Sequence, residues 1–171
     1  TDQQRAVTLQ SFPILPGDSL QTAQNHLQNN VIGHWEKGMD AVKAYMTQNT
    51  DALQWMRSDV ALLIIFVSDE NDSSGQSSSQ FIQWVQYQRE EVYVTSIVNV
   101  DTANSLCPGS YGTWDVGTDY MDVANYFSGI VIDICETDWT AGVTQAAQQV
   151  HLIDEIQLDY TPVDIDHIEV L

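Results

Sequence analysis

Residues Ala61–Ser74 read ALLIIFVSDENDSS. The stretch opens with an apolar run rich in β-branched residues. It closes with Asp69, Glu70, Asn71 and Asp72, followed by a Ser/Gly-rich loop. A continuously apolar run bounded by turn residues reads as a strand buried on both faces, the kind found in parallel sheets covered by helices. Ligands of open α/β sheets bind just beyond the carboxyl ends of the strands. Asp69 and its acidic neighbours stand at such an end.

Working outward, the flanks supply helices and two further strands. Upstream, Gly17-Asp18-Ser19 gives a helix start, with Leu20, Ala23 and Leu27 on one face. A second helix is expected from about Glu36 to Gln48, with Met39, Val42 and Met46 as its inner stripe. Asn49-Thr50-Asp51 breaks it, and Leu53, Trp55 and Met56 form an apolar turn. Downstream, Ser77-Ser78-Ser79 opens a third helix with Phe81, Trp84 and Val85 facing in. Val92 to Val100 alternates as a strand. After a long Gly-, Ser- and Asp-rich loop, Tyr120, Val123, Ala124 and Phe127 mark a fourth helix. Ser128-Gly129 stops it. Ile130 to Ile134 reads as a third strand. Thr137-Asp138 caps a fifth helix with Trp139, Val143, Ala146, Ala147 and Val150 on one face. Strands alternating with helices mean β–α units and a parallel sheet. Residues 1–157 are expected to form this α/β unit, and 158–171 an extended β segment leading out of it.

Bulk properties narrow the partners. The chain has 171 residues, enough for one domain with a sizeable core. Five Lys and Arg face 24 Asp and Glu, a formal net charge of −19. That charge repels nucleic acid and anionic membrane surfaces, and attracts divalent cations or basic partners. It equally serves solubility in a salty medium. No apolar run is long enough to span a bilayer. With no Met at the start and no signal peptide visible, the chain reads as a processed or partial one.

Catalytic signatures are missing from the sequence. It holds no G-x-S-x-G elbow, no Walker loop and no G-x-G-x-x-G. His26, His34, His151 and His167 are scattered, with no pair at ligand spacing. The expectation is a binding protein, not an enzyme. Ser68, Asp69, Glu70, Asn71 and Asp72 offer the hard oxygen ligands that Mg²⁺ or Ca²⁺ prefers. The competing reading is that Asp69 and Asp72 cap the turn and the next helix through local hydrogen bonds. An EF-hand fits poorly: Asp69, Asn71 and Ser73 are spaced correctly, but the glycine falls one residue late and Gln80 replaces the final Glu. In the loop Pro108 to Gly117, Tyr111 and Trp114 are candidate ligand contacts, or else pack down over Cys107. Cys107 and Cys135 are the only cysteines. Bonded, they would close a loop of about 29 residues and contribute about 3–4 kcal/mol in the chain-entropy model, in an oxidising compartment. Otherwise they are two thiols, Cys135 buried in its strand.

The ordered set IFVSDEND, TSIVNV, a Cys-bearing Gly-rich loop, MDVANYFSGIVIDIC and TDW resembles a von Willebrand factor A domain, in a bacterial secreted or lipoprotein-like branch. The resemblance covers residues 31 to 153, with Gly33 to Gly38, Ile65 to Glu70, and Cys107 with Cys135 as its landmarks. It implies a Rossmann-like α/β fold with a mainly parallel sheet and helices on both faces. It further implies a metal-ion-dependent adhesion site. Asp69 matches the Asp that follows the central strand there, with Glu70 and Asp72 beside it. Trp35 stands where the family has a Thr. The family's Asp-x-Ser-x-Ser is absent: Asp72-Ser73-Ser74-Gly75-Gln76 lacks the final Ser and is misplaced. Its strand is therefore expected upstream of Thr1, so that the sheet lacks its first strand or strands in this chain. The implied function is an extracellular or surface-exposed adhesion module. It would bind a protein or surface-glycan ligand, with Mg or Ca as the metal, within a larger assembly or polypeptide. The alternative is a structural component of an appendage, envelope or virion that uses the fold as a metal-free scaffold.

Overall fold

A computed structural model gives the fold, and it describes residues 18–28, 36–101 and 115–150. Nine elements follow in order: helices α1 (Leu20–Gln28), α2 (Gly38–Gln48) and α3 (Thr50–Trp55), strand β1 (Leu62–Ser68), α4 (Ser78–Gln88), β2 (Val92–Val98), α5 (Thr118–Tyr126), β3 (Ile130–Asp133) and α6 (Thr140–Gln149). The three strands form a parallel sheet in the order β1-β2-β3. The α/β architecture expected from the alternation is therefore the one found, and the strands lie where their apolar runs placed them.

The sheet has two unlike faces. Leu62, Ile64 and Phe66 of β1 share one face with Val94 and Val98 of β2. On that face they meet Phe81, Ile82 and Val85 of α4, Tyr120, Val123 and Ala124 of α5, and Met39 of α2. The Phe66 ring lies 5.9 Å from Phe81 and 4.8 Å from Tyr120, centroid to centroid. Such aromatic pairs add about 0.5–1.5 kcal/mol beyond their buried area. The opposite face is covered over β2 and β3 by α6, where Gly142 lies against Ile132. Across β1 no described element covers it: burial alternates strictly along that strand, with Leu63, Ile65 and Val67 exposed. The expectation of a strand buried on both faces is met only on one.

Local differences from the sequence reading have simple causes. The apolar turn around Leu53 is a short helix, because the Asn49 side chain accepts the amides of Asp51 and Ala52 and starts one. Leu20, expected on the inner face of α1, is exposed. On α6, Ala146 is buried as expected, whereas Val143 and Ala147 of the same expected face are exposed. α5 ends in a Schellman motif, with Ser128 N–H bonded to Asn125 O and Gly129 N–H to Ala124 O. The left-handed residue is Ser128, at φ 53°, not the glycine. Gly129 is required for another reason: a Cβ there would lie 1.9 Å from the carbonyl oxygen of Val94.

Candidate functional site

Because the strands are parallel and in register, Ser68, Val98 and Asp133 end together at one edge of the sheet. Asp69 and Asp101 follow at that same edge. The loop 69–74 leaves β1 through a small turn of its own. The Ser68 hydroxyl donates to Glu70 O at 2.8 Å and accepts Glu70 N–H at 3.2 Å.

From there the loop is spent on two helix starts. Neither α2 nor α5 has a side-chain cap from its own N-cap residue, Lys37 or Gly117. Exposed N–H groups at a helix start need outside acceptors. In α2 the Gly38 amide donates to the Tyr120 hydroxyl at 3.0 Å, Met39 to Asp72 Oδ1 at 3.2 Å, and Asp40 to Ser74 Oγ at 2.9 Å. Asp72 Oδ2 also accepts Ser74 N–H at 2.9 Å, and Ser73 N–H reaches Glu36 O at 2.7 Å. Asp40 returns the contact, accepting Gly75 N–H and the Gln76 side chain. In α5 the Asp119 amide donates to Asn71 Oδ1, and Asn71 Nδ2 donates to Asp119 Oδ2, both at 2.9 Å.

Tyr120 closes the joint from below. Its hydroxyl accepts Gly38 N–H and is hydrogen-bonded to Asp72. Burial, with the Asp72 carboxylate second, holds its pKa well above the ordinary tyrosine range. It is therefore a neutral structural group.

Asp72 belongs to the capping of α2, as the local hydrogen-bond reading anticipated in kind, although the helix it caps precedes the strand. Asp69 is half-buried and Glu70 exposed, and neither side chain has a hydrogen bond or ion pair among the described residues. Among those residues no three His, Cys, Asp or Glu side chains converge to hold a metal ion. Both carboxylate oxygens of Asp72 accept backbone amides, of Met39 and Ser74. Cys135 is held in a disulfide. Trp35, Cys107, Tyr111 and Trp114 lie outside the described residues. The sequence reading missed the helix-capping roles of Asn71, Ser74 and Tyr120. No short-range signal marks them, since their partners lie 34 to 82 residues away; the motif Asp72-Ser73-Ser74 after a strand is the nearest one.

A shallow hollow of about 540 Å³ opens elsewhere, at the start of α6, beside Trp139, Thr140 and Val143. Asp138 Oδ1 accepts Thr140 N–H there, and the contacts with Thr140 hold the Asp138 carboxyl below its usual range. Comparison of the chain with protein families, with curated proteins and with solved structures finds no match.

Proposed function

We propose that this chain is a non-catalytic ligand-binding module of the von Willebrand A type, whose contact point is the carboxylate of Asp69. One observation carries the reading. Asp69 directly follows β1 at the carboxyl end of a parallel sheet, the edge where open α/β sheets bind ligands, and its side chain has no hydrogen bond or ion pair among the described residues, while Asn71, Asp72 and Ser74 around it are committed to helix starts. A carboxylate held by such a loop is preorganised, so binding through it loses little conformational freedom.

Mg²⁺ or Ca²⁺ is the proposed bridging ion. Asp69, with Glu70 assisting, would supply protein oxygens, and waters and a carboxylate from the partner would supply the rest. With so few protein ligands, affinity in isolation is expected near the weakest extracellular calcium modules, about millimolar. The partner would be a protein or a surface glycan outside the cell. The alternative, a metal-free scaffold in an appendage, envelope or virion, is favoured by the capping role of Asp72, which takes one carboxylate away from the site. Calorimetric titration of Ca²⁺ and Mg²⁺ into the wild type and Asp69→Ala separates the two. Heat lost in the variant supports the metal reading; identical heats leave the scaffold.

A further inference from the structure

The turn from β3 into α6 carries a surface that the Asp69 contact does not use. Residues 133–136 are tightly folded: Ile134 N–H donates to Val98 O at 2.9 Å, Cys135 N–H to Asp133 Oδ1 at 3.0 Å, and Glu136 N–H to Asp133 O at 3.0 Å. The turn sets Glu136 at the carboxyl edge of the sheet. Measured across the strands, the end of β3 lies two spacings, about 10 Å, from the end of β1. The hollow of about 540 Å³ opens here, and its described lining is residues 136–140 with Val143 and Thr144.

That lining has a definite chemistry. Half-buried Trp139 and exposed Val143 supply carbon surface, and three threonines supply hydroxyls. Glu136 and Asp138 supply negative charge, and none of the described lining residues is Lys or Arg. The Trp139 indole N–H is buried without an acceptor, so it is not the group the hollow offers to a ligand. Asp138 is spent on Thr140, whereas the exposed Glu136 side chain has no hydrogen bond or ion pair among the described residues. The start of α6 brings about half a positive charge, which two carboxylates outweigh. Aromatic carbon beside carboxylates that no cation neutralises favours an organic cation over a neutral or anionic ligand.

Two arguments narrow the cation. Sites for small molecules enclose most of their ligand, and this hollow is shallow, so it suits a side chain presented from the surface of a partner. Among cationic side chains, Arg fits better than Lys. Its guanidinium is weakly hydrated, stacks flat on aromatic carbon and presents five donors to carboxylates. We propose that the hollow docks an arginine side chain of a basic partner protein, its stem over Trp139 and Val143 and its guanidinium toward Glu136. The charge of −19 draws such a partner to the surface, and the hollow gives it one fixed point. The contact needs no metal and does not depend on Asp69 holding one.

Residue-resolved chemical-shift titration of the full 171-residue chain with the peptide acetyl-Gly-Arg-Gly-amide tests this, in metal-free buffer at about 0.15 M salt. Saturable shifts are expected at the amides of Trp139, Thr140, Val143 and Thr144. The same peptide with citrulline in place of arginine keeps the shape without the charge, and is expected to bind at least about tenfold more weakly. Glu136→Gln should weaken the arginine peptide about two- to fivefold. Trp139→Ala should weaken it at least about threefold. Unchanged amide signals of Val94 and Val98 show that each variant is folded. Should Trp139→Ala fail that control, Glu136→Gln decides, since its side chain is exposed. Four results would overturn the proposal: no saturable shift at the four amides, shifts spread evenly over the acidic surface, a citrulline peptide that binds as tightly, which would mark a site for neutral ligands, or undiminished binding in Glu136→Gln.

Discussion

Asp69 and Asp72 are three residues apart and both acidic, yet they have opposite roles. Asp72 accepts the amides of Met39 and Ser74 and binds the Tyr120 hydroxyl. Asp72→Ala should therefore cost about 1–3 kcal/mol in urea unfolding, since buried donors lose their acceptor. Asp69→Ala should stay within about 0.5 kcal/mol of the wild type, because its side chain touches nothing that the fold requires. Equal losses for both would contradict the division. Tyr120→Phe removes the acceptor of Gly38 N–H and should also cost about 1–3 kcal/mol. Its pH dependence has a definite sign. The Tyr120 pKa is raised in the fold, so its contribution is complete below the unfolded value of about 10 and is lost as pH climbs from there toward the folded value. Unfolding followed from neutral pH to about pH 11 should show the wild type losing stability more steeply than Tyr120→Phe above about pH 10.

At the scale of elements, the turn that ends α5 gives the sharpest test. Gly129→Ala forces a Cβ into the Val94 carbonyl and should destabilise by about 2–3 kcal/mol in thermal or chemical melts. Ser128→Gly relieves a left-handed backbone and should stabilise by up to about 1 kcal/mol. An unchanged midpoint for Gly129→Ala would show that the α5–β3 turn shifts freely. The elements themselves were largely legible, for physical reasons that differ. The runs at 62–68, 92–98 and 130–133 are apolar and β-branched, and separating helices exclude hairpins, so parallel pairing followed. Ser77 with Gln80 makes a capping box that starts α4, readable within four residues. The start of α2 was not readable in this way, because its acceptors come from Asp72, Ser74 and Tyr120. Within the inner stripe of α6, Ala146 was placed correctly and Val143 was not, because Gly142, which lies against Ile132, carries no side chain to register in a hydrophobic pattern.

The molecule as a whole carries a charge of −19, and Cys135 in a disulfide holds the end of β3. The chain's other cysteine is Cys107. Reduction should lower stability by about 2–5 kcal/mol, as for small secreted domains, read as a shift of the urea midpoint with dithiothreitol. The charge complicates any claim about Asp69, since 24 acidic side chains gather cations over the entire surface. Heat from the wild type without the Asp69→Ala comparison does not separate a site from that atmosphere. Residue-resolved chemical-shift titration with Mg²⁺ and Ca²⁺, at about 0.15 M salt to screen the diffuse field, does. A binding site at Asp69 should give saturable shifts concentrated at Asp69, Glu70 and Asn71, absent in Asp69→Ala and retained in a control such as Asp138→Asn. Shifts spread evenly over the acidic surface, or identical in wild type and Asp69→Ala, would contradict it.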